Sequence, residues 1–374
     1  MTRTMIPTKL QVLAGFLALA ACVCPGLTVG SALTDEPQVT NAKLETRAVV
    51  GGLAATTQQF VQESANPLWI GYSVEKVAGE RSICCGDPGD DTGLGCGTCT
   101  LENERNNWSG TRRQKKTVNL ESGGRLVVLL RVDNKQVMRI RMASEDCTLD
   151  AGGLRFVWLT GAKSDESVAL LTSYVRAQEF GRDGDQGLAG QALATIAMHA
   201  GAPADRAMAS FVAPEQPSEL RRKASFWLGA ARGKAGLPLL EKMARNDPSG
   251  DVRAQVAFAL YVSPEPQAVD EMIHMAHDDH DPHVRGQALF WLAQKAGAKA
   301  AGAINGAIEN DPDTEVKKKA VFALSQMPRE EGVPKLIQVA ETNRNPEVRK
   351  QAMFWLGQLN DPRALQFFER ILAR

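Results

Sequence analysis

Apolar residues follow two rhythms along this chain, and the change between them divides it. From Asn66 to Gly161 they come in short runs, rich in β-branched and aromatic residues and bounded by Gly. Examples are Leu68-Trp69-Ile70-Gly71-Tyr72-Ser73-Val74 and RLVVLLRV from Arg125 to Val132. Such runs predict strands. The stretch Val132-Asp133-Asn134-Lys135-Gln136 predicts a turn, after which Met138, Ile140 and Met142 alternate with Arg139 and Arg141. That alternation predicts a hairpin with one face in water.

From Ser164 onward the spacing becomes helical, and it repeats. With place zero at Leu188, Leu220, Val252, Val284, Val316 and Val348, each copy stands 32 residues after the last. Place four is small (Ala192, Ala224, Val256, Ala288, Ala320, Ala352) and place eight is Leu or Ile, so zero, four and eight share one helix face. On the preceding helix, Leu237, Val269, Ala301, Val333 and Leu365 recur at the same interval, with Leu240, Met272, Ile304, Leu336 and Phe368 one turn on. A fixed period in this range predicts a solenoid, in which each unit buries its apolar face by stacking on its neighbours.

Place six does not fit the buried face. It holds Phe226, Phe258, Phe290, Phe322 and Phe354, at an angle of about 240° on the helical wheel, while the apolar arc centres near about 70°. Five rings on the far face predict a row with a rung spacing of roughly 8–10 Å, the distance between packed helices. Beside it, place three holds Lys223, Gln255, Gln287, Lys319 and Gln351. Rings edged by amides and ammonium groups suit a groove for an extended peptide; a seam of rings leaning on one another would use the same positions. Place seven alternates Trp227, Ala259, Trp291, Ala323 and Trp355, the large-beside-small order by which packed layers interdigitate.

Place one is Arg221, Arg253, Arg285, Lys317 and Arg349, and five residues before zero stand Asp183, Glu215, Asp247, Asp279, Asp311 and Asn343. With Pro248, Pro282, Pro312 and Pro346 close behind the acid, residues 164–374 closely resemble the HEAT-repeat family in its short phycobilisome-lyase-type form. The resemblance implies a right-handed stack of antiparallel helix pairs, with the Phe row on its concave face. The usual role of such a stack is a protein-binding scaffold, and no particular chemistry is implied. Ala189 and Ala194 replace the Arg and the Phe in the first copy, which suits a capping unit without a further neighbour. The last helix, from Pro362, has no partner.

Charge excludes one class of partner. The 43 basic residues balance 43 acidic ones, so nothing electrostatic favours nucleic acid. The N-terminus changes the picture more, because Arg3 and Lys9 precede an apolar run from Leu10 to Ala21 that is too short to span a membrane stably. It reads as a secretory signal, covering residues 1–32 if cleavage follows Ala32, or 1–21 if Leu19-Ala20-Ala21-Cys22 is a lipobox with Cys22 lipidated. Both predict an exported bacterial chain, in the periplasm or cell envelope, and residues 33–65 then read as a polar linker. In an oxidising compartment Cys84, Cys85, Cys96, Cys99 and Cys147 are disulfide candidates that would hold the Gly- and Asp-rich loop between the strands.

The expected architecture is therefore α+β in two parts, mainly α: a small disulfide-bearing β-rich domain over 66–161, then a solenoid of about six repeats. No nucleophile, zinc-protease or phosphate-loop motif stands out, so a non-enzymatic scaffold binding a protein or peptide is expected, with no cofactor. Two alternatives stay open. One is an enzyme or assembly factor like the phycobilisome-type lyases. The other is a periplasmic metal-binding protein, because His274, His277, His280 and His283 stand three residues apart among acids and can in principle ligate a transition metal.

Overall fold

The computed structural model describes residues 36–78, 98–102, 124–177, 187–295 and 298–373. The segment expected to be a secretory signal, with Cys22, and Cys84, Cys85 and Cys96 of the expected disulfide loop, lie outside the described residues.

The strand-forming half builds two sheets. Strands β2 (Lys43–Ala48), β3 (Leu68–Glu75), β5 (Arg125–Asp133), β6 (Gln136–Ser144) and β8 (Arg155–Thr160) form a five-stranded sheet in the order β2-β8-β3-β5-β6. Strands β1 (Val39–Thr40), β4 (Thr98–Thr100) and β7 (Thr148–Asp150) form a small parallel sheet in the order β1-β7-β4. Helix α1 (Leu53–Glu63) crosses between β2 and β3, and β8 is inserted between those two strands, parallel to both. The segment expected to be a linker therefore supplies a sheet strand and a helix with one buried face. Its apolar residues are few, but Leu53 and Val61 are placed one helical face apart and reach the core.

The wet face expected for the hairpin is covered along β5 but half-open along β6, where Arg139 and Arg141 are half-buried beside buried Ile140 and Met142. Even-numbered residues of β3 and β5, such as Ile70, Tyr72, Val128 and Leu130, face a core shared with the helices, while Trp69, Val127 and Leu129 enter a second core with Phe156, Trp158, Cys99, Leu101, Cys147 and Leu149. Burial on both faces is why these strands read as unbroken apolar runs. Gly71 is required here, because a Cβ at that position would stand 2.9 Å from the Phe156 ring and 3.0 Å from Trp158. Cys99 and Cys147 are both disulfide-bonded. Glu102 closes this layer by accepting from Trp69 Nε1 at 2.7 Å and Arg131 Nε at 2.8 Å. The hairpin turn falls where expected, with Asn134 and Lys135 both at positive φ, as a tight two-residue turn demands.

The helical half alternates two layers. First helices are α2 (Ser164–Ala177), α4 (Ala202–Phe211), α6 (Gly233–Asn246), α8 (Ala268–Asp278), α10 (Ala298–Asn310), α12 (Arg329–Thr342) and α14 (Pro362–Leu372). Second helices are α3 (Leu188–Met198), α5 (Ser218–Ala231), α7 (Gly250–Val262), α9 (Pro282–Lys295), α11 (Thr314–Gln326) and α13 (Pro346–Gln358). Places zero, four and eight are fully buried in α7, α9, α11 and α13. The first-helix register holds until α14, where Ala364 and Phe367 are buried and Leu365 is 61% exposed. The inward face of that helix is turned by one residue from the repeat.

The first pair is not a free cap. Helix α3 packs on β6, and Gln191 Oε1 accepts the β6 backbone N–H of Ile140 at 2.8 Å, covering a sheet edge that would otherwise be open. Ala189 and Ala194, which stand where later copies have the Arg and the Phe, are both buried in this first pair.

Successive repeats are joined by a ladder of buried ion pairs. Arg221 meets Asp247, Arg253 meets Asp279 and Arg285 meets Asp311, each with two nitrogens on two oxygens at 2.7–3.0 Å and each 26 residues apart. Arg253, Arg285 and Arg349 also bond back to the carbonyl six residues earlier, at 2.8 Å each, and the acids accept the backbone N–H two residues on. Burial alone would raise the Asp279 carboxyl, but the Arg253 guanidinium and the Asp281 N–H hold it below its ordinary value. The next step lacks the pair, because Lys317 turns to the Glu309 carbonyl and Asn343 stands in place of the acid.

Asn343 is buried, so Asn343→Asp alone is expected to lower the melting temperature by leaving a carboxylate without its guanidinium. Adding Lys317→Arg should restore it, with a coupling of about 1–3 kcal/mol in a double-mutant cycle. Additive effects would show that the ladder does not join these repeats.

Candidate functional site

The second helices carry a continuous aromatic row. Phe226 stacks on Phe258 at 5.8 Å between centroids, Phe258 meets Trp291 at 4.6 Å, and Trp291 meets Phe290 edge-on at 4.8 Å. Phe290 then stacks on Phe322 at 5.9 Å, Phe322 meets Trp355 at 4.8 Å, and Trp355 meets Phe354 at 5.1 Å. The spacing is closer than the helix separation predicts, because the rings lean along the stack. The alternation at place seven explains the order of contacts. Where that place is Ala259 or Ala323 two Phe rings stack directly, and where it is Trp291 or Trp355 the indole wedges between them.

The rings lean on one another as a seam and are still not fully covered. Phe226, Phe258, Phe290 and Phe322 are half-buried against one another, and Phe354 is 54% exposed. Two shallow depressions open onto the row. One, of about 190 Å³, is lined by Arg222, Lys223, Phe226, Trp227, Gln255 and Phe258. The other, of about 410 Å³, adds Asp251, His283, Gln287 and Trp291. Lys223, Gln255 and Gln287 thus meet the rings as the spacing predicts, and Lys319 and Gln351 are half-buried on the same helix layer. Tyr261 was not legible in the repeat because it occurs in one copy; it stacks on Trp291 at 5.0 Å, with Lys295 Nζ 5.7 Å from its ring centre.

The four clustered histidines are not brought into one coordination set. His274 and His277 both turn to Asp278 at 2.5 Å, His280 Nε2 faces Arg253 at 3.1 Å, and His283 lines the second depression. Among the described residues no group of three or more His, Cys, Asp or Glu is placed to hold a metal ion. Spacing by three puts His274 and His277 on α8, His280 in the turn after it and His283 in the first turn of α9, so the four side chains are divided among three elements.

The fifth histidine is the one sequence reasoning passed over. His199 is fully buried where β3, α2 and α3 meet, with Nδ1 2.7 Å from the Thr195 carbonyl and Nε2 2.8 Å from Ser167 Oγ, which lies 2.9 Å from the Tyr72 hydroxyl. The carbonyl can only accept, so Nδ1 carries the proton and Nε2 accepts from the serine. Burial pulls the imidazole down to about 4; the Thr195 carbonyl opposes that shift and Arg232 adds to it. A serine and a histidine at this distance resemble a nucleophile and base, but both are fully buried, so the cluster serves to tie the sheet to the first helix pair. Backbone bonds from Val77 to Met198 and from Ala200 to Glu75 run beside it.

Residues 208–293 and 302–374 match the family of HEAT repeats. This part of the chain is a HEAT-repeat array and belongs to that family. No curated protein matches the chain. Among solved structures, human deoxyhypusine hydroxylase in complex with glycerol is 15% identical, over 55% of this chain and 90% of that one, with a TM-score of 0.27. YibA of E. coli is 14% identical, over 55% of this chain and 75% of that one, with a TM-score of 0.34.

The His199 geometry sets a pH dependence. Its folded pKa lies below the unfolded value of about 6.5, so the unfolded chain takes the proton first and stability is lost as pH falls. Unfolding free energies from urea titrations are expected to fall between pH of about 6.5 and 4, by about 3 kcal/mol in all. A His199→Gln variant should lose that slope; an unchanged slope would place its origin elsewhere. In the aromatic row, Trp291→Ala should cost about 2 kcal/mol by removing a wedge between two rings, and Trp291→Phe clearly less, read by thermal melting.

Proposed function

We propose that the chain is an exported, non-enzymatic scaffold whose HEAT array holds a segment of a protein partner along the aromatic row of its second helices, the concave layer of such an array. The observation that carries this is the row itself: nine rings in unbroken contact, all but the buried Trp227 left partly exposed, and opening into two depressions edged by Lys223, Gln255 and Gln287. A seam needed only for stacking would be stable with its rings covered. The first depression is smaller than the cavities that enclose small ligands, which supports an extended occupant lying across several repeats.

Export rests on the charged start and apolar run before Ala21, with Cys22 as a lipid anchor in the lipobox reading. Disulfide-bonded Cys99 and Cys147 support the same compartment, where thiols oxidise, and the loop cysteines are their proposed partners.

The test is capture of partners from an envelope extract by the whole mature protein. Phe258→Asp, Phe290→Asp and Phe322→Asp together should abolish capture. Because the rings also support one another, a second variant, Gln255→Ala with Gln287→Ala, removes edge groups and leaves the rings in place. It is expected to weaken capture several-fold while melting like the parent. Undiminished capture by both folded variants would move the site off the second helices.

A further inference from the structure

We infer that the uncovered end face of α13 and α14 docks a helix of another protein, one with an acid just before it and a Phe-Ala pair within it. The second helices alternate in kind. Helices α5, α9 and α13 have Trp at place seven and a small residue at place nine (Gly229, Ala293 and Gly357), whereas α7 and α11 have Ala at place seven. The Trp kind is alike in all three copies, each indole meeting the Phe before it at 5.1, 4.8 and 5.1 Å and at 73–77°. The first two are each followed by a helix of the Ala kind, whose own Phe stacks flat on theirs. Phe258 lies on Phe226 at 16° and Phe322 on Phe290 at 8°. Among the described residues no such ring lies on Phe354, which stands 54% exposed.

Two further positions agree. A Cβ on Gly229 would run into the Ala259 carbonyl, so the following helix rests directly on the α5 backbone there. At Gly357 the equivalent Cβ meets open space, with nothing within 4 Å. Arg221 and Arg285, at place one of α5 and α9, each fork onto the acid in front of the following helix, Asp247 or Asp311. Arg349 keeps the backward bond to the Asn343 carbonyl, but among the described residues no carboxylate meets it. A ring for Phe354, a close backbone for Gly357 and a carboxylate for Arg349 are what α7 and α11 supply to their own neighbours. They do so with Asp247 or Asp311 and, 11 residues on, Phe258-Ala259 or Phe322-Ala323. The end face thus continues a joint that the array already makes twice, and its guanidinium calls for the same acid. Beside it α14 exposes Leu365 and Leu372, on one helical face, to the apolar side of an occupant. A second copy offers no such helix. Its α7 and α11 lie inside their own array, and α3, with Ala194 and Thr195 at places six and seven, is packed on β6.

The probe is a fluorescein-labelled peptide with the sequence of residues 311–326, which is α11 with its leading Asp311. It is cross-linked to stay helical, because so short a helix is marginal on its own. With the full-length protein, fluorescence anisotropy is expected to show saturable binding that Gly357→Leu weakens about tenfold or more. That variant fills open space and replaces a helix glycine, so its melting temperature should hold or rise. A peptide with Asp311→Asn should bind the parent several-fold more weakly, yet bind an Arg349→Leu protein no differently from the original peptide, which ties the acid to that guanidinium. A peptide with Phe322→Ser should not bind. Binding that Gly357→Leu leaves unchanged, or no binding by the original peptide, overturns the inference. A dimer in light scattering that Gly357→Leu dissolves overturns it as well, since the face then closes on a second copy.

Discussion

The pairing of an arginine at the start of one second helix with an aspartate at the end of the next first helix sets the geometry on which the rest of the array depends. Each guanidinium reaches forward to the carboxylate 26 residues on, and Arg253 and Arg285 also reach back to a carbonyl of their own repeat. Three elements are thereby held at fixed distance by a planar fork that accepts little distortion. Such a buried pair contributes little net stability, since desolvation offsets most of the attraction, but a repeat that slipped in register would leave a buried charge without its partner. The ladder therefore acts on spacing more than on stability, and with spacing settled the valine and leucine positions above it are fully buried.

Constant spacing also lets one exposed position become a continuous surface. A phenylalanine at place six of a single helix would be an ordinary half-buried side chain. Repeated at the interval the ion pairs enforce, it touches its counterpart directly or through a tryptophan, and the rings fuse into one row. The alternation of alanine and tryptophan at the neighbouring place gives that row a longer period than the repeat itself. Direct stacks and indole wedges follow one another, so the two depressions differ in size and lining.

The sheet plays a comparable role at the other end. An array of stacked helices leaves its first apolar face open, and a sheet leaves its last strand unpaired; here each covers the other. Helix α3 packs on β6, Gln191 satisfies a backbone donor of that edge, and the buried chain from Tyr72 through Ser167 to His199 fixes the joint with directional bonds. A neutral histidine in that position makes the joint sensitive to acid, whereas Asp279 of the ladder, held below its ordinary pKa, stays charged until the pH is lower still.

The 32-residue period, the buried places zero, four and eight, the hairpin turn and the outward phenylalanines were all legible in the chain alone, because each is a local pattern that a single helix or turn expresses by itself. Features that join residues far apart were not. Residues 39–63 look polar because β2 is an edge strand with most of its side chains exposed, and nothing local announces that it pairs with β8 more than a hundred residues on. Evenly spaced histidines suggested a metal site that the end of α8 disperses, while the isolated His199 proved to be the buried one. The arginines and aspartates were visible as columns, but that Arg221, Arg253 and Arg285 bond across repeats, and that the rings meet in alternating stacked and edge-on contacts, was decided by packing. Periodicity fixes which residues share a face; only packing decides what that face meets.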